Sequence, residues 1–152
     1  MNNVEFWSTD GGGRSVLQQW LIDEYLATDY GVRYDPSFAL RIGVPSDEVR
    51  ELQSGAAVTS SAYITAWNPR GKSLADNENA ARHKQLINRL TELGLKFITG
   101  AALGRNPAWP AEESLLILGM DRELACKIGR EFEQNAIVMI DENAVPTLLL
   151  LR

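Results

Sequence analysis

The stretch AYITAWNPRGKSLADNENAAR, residues 62–82, decides how the chain is read. Its first part alternates, with Tyr63, Thr65 and Trp67 on one side and Ala62, Ile64 and Ala66 on the other, as a half-buried strand does. Asn68-Pro69 stops the strand, because proline removes a backbone donor and fixes its own φ. A short basic loop containing Arg70, Gly71 and Lys72 follows. The chain then enters a helix through Asp76, Asn77, Glu78 and Asn79. Polar side chains are concentrated where a strand ends and a helix begins.

Working outward, residues 78–93 form the clearest helix, with Leu86, Ile87, Leu90 and Leu93 as its buried stripe and Gly94 as its C-cap. Residues 95–99 read as a strand, residues 100–111 as a long loop, and residues 113–118 as a continuous apolar strand. Asp121 caps a helix whose Leu124, Ala125, Ile128 and Phe132 face inward. Residues 136–140 and 147–151 read as strands joined by a turn rich in breakers at 141–146. Upstream, residues 15–30 have helical spacing ended by Gly31. Residues 38–42 alternate as a short strand, and Ser46 with Asp47 and Glu48 starts a helix that Gly55 ends.

From residue 62 the order strand, helix, strand, strand, helix, strand is that of an α+β, ferredoxin-like split βαβ core, an antiparallel or mixed sheet with helices on one face. A final strand adds a C-terminal hairpin. One domain, 1–152, is expected: a loose lead-in at 1–12, an N-terminal helix-strand extension at 13–60, and the α/β core at 61–152.

Four pieces of sequence carry a resemblance: AYITAWNP at 62–69, NEN with a following arginine at 77–82, AWPAEESLLILG at 108–119 and GREFEQNAIV at 129–138. With them, the chain from about residue 38 to residue 141 resembles a bacterial family catalogued as domain of unknown function 3293. The resemblance implies that these pieces belong together. It implies no activity, cofactor or catalytic residue.

Composition narrows the function classes. At 45% hydrophobic and 23% charged, the chain is neither disordered nor a membrane span, and it holds no run of eighteen apolar residues. The single Cys126 reads as a buried small hydrophobe; without a second cysteine or a His/Cys cluster, no disulfide, structural zinc or other cofactor is expected. A cytoplasmic protein is the expectation. The net charge of −5 argues against a general nucleic-acid binder, which needs a basic face. Residues 61–105 hold seven bases and three acids, +4, between flanks of −5 (four bases, nine acids) and −4 (four bases, eight acids). Either the three segments pair across the surface, or a local positive field surrounds the opening stretch.

Four constellations are candidates for a site. Asn68, Arg70 and Lys72 precede a helix N-terminus, a natural anion cradle; the alternative is a plain turn in which Asp76 or Asn77 caps the helix. A phosphate-binding P-loop is absent, since Ala66 stands where its first glycine would be. Glu78, Asn79, Arg82 and His83 share helical spacing, with a surface ion pair between Glu78 and Arg82 and a partly buried His83 as the plain reading. Trp109, Glu112, Glu113 and Ser114 stand at the end of a loop and the mouth of a strand, where adjacent carboxyls point to opposite sides; one of them is a candidate partner for Arg70 or Arg82, and Trp109 is a loop anchor or a ligand lid. Gln134 and Asn135 follow the last helix and either cap it or project into a polar pocket.

The leading expectation is a small-molecule or anion-binding accessory or regulatory domain, whose site draws on Asn68, Arg70, Lys72, Glu78, Asn79, Arg82, Trp109, Glu113, Gln134 and Asn135. A protein-interaction module, an inhibitor or an assembly subunit, is the alternative. A hydrolase or transferase with Glu113 or His83 as base and Arg82 holding an anionic substrate comes third, because no catalytic motif or metal-ligand set is present.

Overall fold

The structure, a computed structural model, describes residues 3–7 and 13–152. The described residues hold eight strands, β1 (Val4–Phe6), β2 (Asp29–Val32), β3 (Phe38–Leu40), β4 (Ser61–Thr65), β5 (Lys96–Leu103), β6 (Glu112–Leu118), β7 (Ala136–Ile140) and β8 (Pro146–Leu150). The helices are α1 (Gln19–Leu26), α2 (Asp47–Gly55), α3 (Asp76–Glu92) and α4 (Arg122–Glu131). The protein is α+β, and its strands make one mixed sheet in the order β1-β8-β7-β4-β6-β5-β2-β3. Every pairing is antiparallel except that of β1 with β8.

Alternation along the strands divides the core. Ala62 and Ile64 of β4, Leu115 and Ile117 of β6, and Ile137 and Met139 of β7 face α3 and α4, whose Leu86, Leu90, Ala125 and Ile128 are fully buried against them. Each such leucine or isoleucine contributes about 1.5–3 kcal/mol by leaving water. The intervening Tyr63, Leu116 and Val138 face the other way, toward Val49 and Leu52 of α2, while Ile22 of α1 packs on Leu148 and Leu150. Helices therefore cover both faces, where the sequence suggested only one; the short N-terminal helices close what an open sheet would leave wet.

Local chemistry explains the helix ends. Ser46 Oγ accepts from Val49 N–H at 3.2 Å and Asp121 Oδ1 from Leu124 N–H at 2.8 Å, as the capping pattern requires. Gly94 takes φ +70° just past α3, where a left-handed residue closes the helix. Neither Asp76 nor Asn77 caps α3: its N-cap position is Ala75, which has no side-chain acceptor, and both polar residues lie inside the first turn.

Three boundaries differ from the sequence reading. The helix expected over residues 15–30 ends at Leu26, and residues 29–32 join the sheet as β2. Gly31 is not a helix stop. It lets β2 press on β5, where a Cβ on Gly31 would lie 2.8 Å from Ala101 O and one on Gly100 only 1.9 Å from Gly31 O. For the same reason β5 runs through Gly100 to Leu103 instead of ending at Thr99. The expected lead-in holds a strand, β1, whose partner β8 lies at the far end of the sequence. Residues 1–2 and 8–12 of that lead-in lie outside the described residues.

Candidate functional site

The strand alternation that fills the two cores also builds a cavity. On the α1 side of the sheet, Thr65 lies opposite Ser114, and Ala102 lies between Tyr30 and Glu112 in the ladder. These residues, with Tyr63 and Asn68, floor a cavity of about 140 Å³ roofed by Leu21, Glu24 and Tyr25 of α1. Trp109 and Pro110 stand at its side, and Gln134 and Asn135 close it from the α4–β7 junction. Trp109 is 43% exposed, so the cavity reaches the surface there; its ring lies 6.4 Å from that of Trp20, tilted by 57°.

Asn68 is the hub. It sits in the left-handed region at φ +48°, which asparagine tolerates better than most residues, and turns the end of β4 into a single 3₁₀ turn over Pro69–Gly71. Its N–H donates to Asn79 Oδ1 at 2.9 Å. Its Oδ1 accepts from Asn79 Nδ2 at 2.8 Å and from Leu74 N–H at 3.1 Å. Its Nδ2 is thereby aimed at the cavity, where it donates to Glu112 Oε1 at 3.0 Å.

Burial sets the electrostatics. The Glu112 carboxyl is held above its ordinary range by desolvation, only partly offset by the Asn68 bond. Desolvation also raises the phenols of Tyr25, Tyr30 and Tyr63, so all three stay protonated at neutral pH. Tyr30 Oη donates to Tyr25 O at 2.6 Å and Tyr63 Oη to Gly31 O at 2.8 Å. Asn135 Nδ2 donates to Tyr25 Oη at 3.2 Å and Gln134 Nε2 to Trp67 O at 3.1 Å. Gln134 also donates to Phe132 O at 3.2 Å, so it ties off the end of α4 while lining the cavity.

Of the ten residues singled out from sequence, Asn68, Trp109, Gln134 and Asn135 line this cavity, and the buried Asn79 supports it through Asn68. The others lie elsewhere. Arg82 does not pair with Glu78. Its Nε donates to Ala66 O at 2.8 Å and its Nη2 to Phe132 O at 2.5 Å, so it ties α3 to the ends of β4 and α4. Glu133, not an acid of the strand mouth, stands 3.6 Å from Arg70 and 3.8 Å from Arg82. Lys72 and Glu78 are exposed. Among the described residues, no arginine, lysine or histidine lines the cavity.

Glu113 points through the opposite face of the sheet, where both its oxygens meet Arg33, at 2.8 and 2.5 Å. That bond holds its carboxyl below the ordinary range. His83 lies near the same pair; burial lowers its pKa, and its Nδ1 is buried without a hydrogen-bond partner. Among the described residues no cluster of His, Cys, Asp or Glu has the grouping of a metal site, and no helix is long and apolar enough to cross a membrane. Reading the sequence missed Tyr25 and Glu24 as cavity residues, and it named Glu112 as a candidate but chose Glu113 for the site. For Glu112 the strand period was the available signal: sharing Thr65's face of the ladder, it had to oppose Glu113.

The model of the family described as protein of unknown function (DUF3293) matches residues 64–137 of the chain. The matched span runs from β4 into β7 and so contains Asn68, Asn79, Trp109, Glu112, Gln134 and Asn135. No curated protein and no solved structure matches the chain.

Proposed function

We propose, with that family match as premise, that the protein is a small-molecule-binding domain of accessory or regulatory kind, its ligand held in the cavity between α1 and the sheet. One observation carries the reading: four residues chosen for their chemistry, scattered from 68 to 135, line one cavity with the buried carboxyl of Glu112. The anion half of the original expectation is not carried forward, since Arg70 and Lys72 lie outside that cavity. The same reading takes β7-β4-β6-β5 with α3 and α4 as the split βαβ unit of a ferredoxin-like core, and the flanking strands as additions that widen the sheet enough to carry the site.

A thermal-shift screen of small polar metabolites against wild type and an Ala102→Leu variant tests it. Ala102 lines the cavity, so the added side chain fills it. A hit raises Tm in wild type and not in the variant, with circular dichroism showing both folded. A panel without hits, or hits that shift both chains equally, would sink the reading.

A second reading, a protein-interaction module, is favoured by the paired rings of Trp20 and Trp109, which are 54% and 43% exposed beside the cavity. A stoichiometric partner whose capture is lost in a Trp20→Ala, Trp109→Ala variant supports it; unchanged capture removes it.

A further inference from the structure

We infer that the cavity takes a compact organic cation, a protonated amine on a small ring or short apolar frame, received by the carboxyls of Glu24 and Glu112. This rests on the small-molecule reading above and adds the ligand's charge.

Hydrogen-bond valence is the first argument. All the hydroxyls on the cavity wall except that of Tyr25, which accepts from Asn135, have already committed their protons to backbone carbonyls. Thr28 Oγ1 donates to Glu24 O at 2.7 Å, Thr65 Oγ1 to Glu113 O at 2.6 Å and Ser114 Oγ to Glu112 O at 2.9 Å, as Tyr30 and Tyr63 do to theirs. Apart from the Tyr25 proton, what remains among these hydroxyls and the two carboxyls is lone pairs. Glu24 Oε2 is buried without a hydrogen-bond partner, and Glu112 Oε1 accepts from Asn68 alone. A wall of acceptors suits a guest made of donors, and an ammonium group has three donors and no acceptor. An anion needs the reverse.

Charge is the second. Both ionisable acids of the wall are carboxyls, and among the described residues no basic side chain lines it. The nearby cations are engaged outside the wall. Arg152 Nη1 donates to Asn135 Oδ1 at 3.0 Å, and Arg33 and Arg82 are held on the other side of the sheet. A positive guest relieves the cost of leaving a buried carboxylate unpaired. The raised pKa of Glu112 is what a carboxyl shows while its counter-charge is absent.

Shape is the third. Trp109 and three tyrosines are among the lining residues, aromatic neighbours that suit a cation, and a cavity of about 150 Å³ is known to admit a benzene ring, close to the 140 Å³ here.

Three probes of matched shape separate charge from size: benzylamine, benzyl alcohol and benzoate, titrated at neutral pH into the full chain and followed by the amide NMR signals of the cavity wall. The expected order is benzylamine first, about tenfold or more above the alcohol, with benzoate weakest. Glu112→Gln and Glu24→Gln should each bring benzylamine down toward the alcohol while leaving the alcohol's own affinity in place, so an intact fold is read out in the same titration. Benzoate or the alcohol binding as tightly as the amine overturns the charge assignment and leaves the small-molecule reading standing. No binding by any of the three overturns both.

Discussion

Asn68 and Asn79 clasp each other across the β4–α3 junction: the backbone N–H of one meets the side-chain oxygen of the other at 2.9 Å, and the two amide groups join at 2.8 Å. Asn79 is 1% exposed, so neither bond is replaced by water if it is lost. Asn79→Ala should destabilise the fold by about 1–3 kcal/mol in urea unfolding. It should also weaken any cavity ligand, because Asn68 then no longer fixes Glu112. A variant as stable as wild type would show that the clasp is incidental.

Glu112→Gln should raise stability at neutral pH. The folded chain holds the Glu112 proton more tightly than the unfolded chain does, so its contribution is complete below the ordinary carboxyl value of 4.5 and is lost as pH rises through the folded one. The glutamine variant escapes that loss and keeps an oxygen for Asn68. Its Tm advantage should therefore open with rising pH and close in acid, as a pH series of melting curves would show. A variant less stable than wild type at neutral pH contradicts this.

Glu113→Gln should behave oppositely and weakly. Its carboxyl is stabilised by Arg33, so that contribution is present above 4.5 and fades as pH falls through the depressed folded value. With side chains 50% and 36% exposed, the Arg33–Glu113 pair should be worth no more than about 1 kcal/mol and less in high salt. Cavity ligands should bind this variant as they bind wild type. A tenfold loss of affinity would put Glu113 back among the site residues.

Gly100→Ala should cost about 3 kcal/mol or more, or prevent folding, because its Cβ would lie 1.9 Å from Gly31 O and backbone cannot yield as a side chain does. Gly104→Ala is the control, since its Cβ meets nothing within 4 Å. Equal stability of the two would refute the close approach of β2 and β5.

Cys126 is fully buried, and its thiol is pushed up to about 11, chiefly by burial. Alkylation near pH 8 should therefore follow unfolding and not thiolate chemistry. Mass spectrometry over a urea series should show labelling rising only where the fold is lost.

What was legible in the sequence was local. Ser46, Asp121 and Gly94 announce helix ends through bonds to their own neighbours, and the alternation in residues 62–67 announces β4. What was not legible depends on distant partners. Asp29 and Tyr30 continue a helical pattern and become strand because β5 waits beside them. Val4–Phe6 is too short to signal itself and is made a strand by β8. The site divides the same way. The polar turn at Asn68 was visible, but its partners Glu24 and Tyr25 come from a helix more than forty residues away. Arg82, placed on the helix face beside Glu78, was drawn off by the carbonyls of Ala66 and Phe132.

The two neighbouring acids of β6 make that strand a partition. Glu112 belongs to a sheltered cavity and Glu113 to an exposed ion pair, and only the two-residue period of the strand decides which is which. A single residue inserted between Trp109 and Glu112, if absorbed by shifting the strand along its neighbours, would exchange the rooms: the acid made for Arg33 would open onto the tyrosines, and the cavity's own acid would look toward α3. Chemical identity at this site is thus a matter of counting, and the loop ahead of β6 keeps the count.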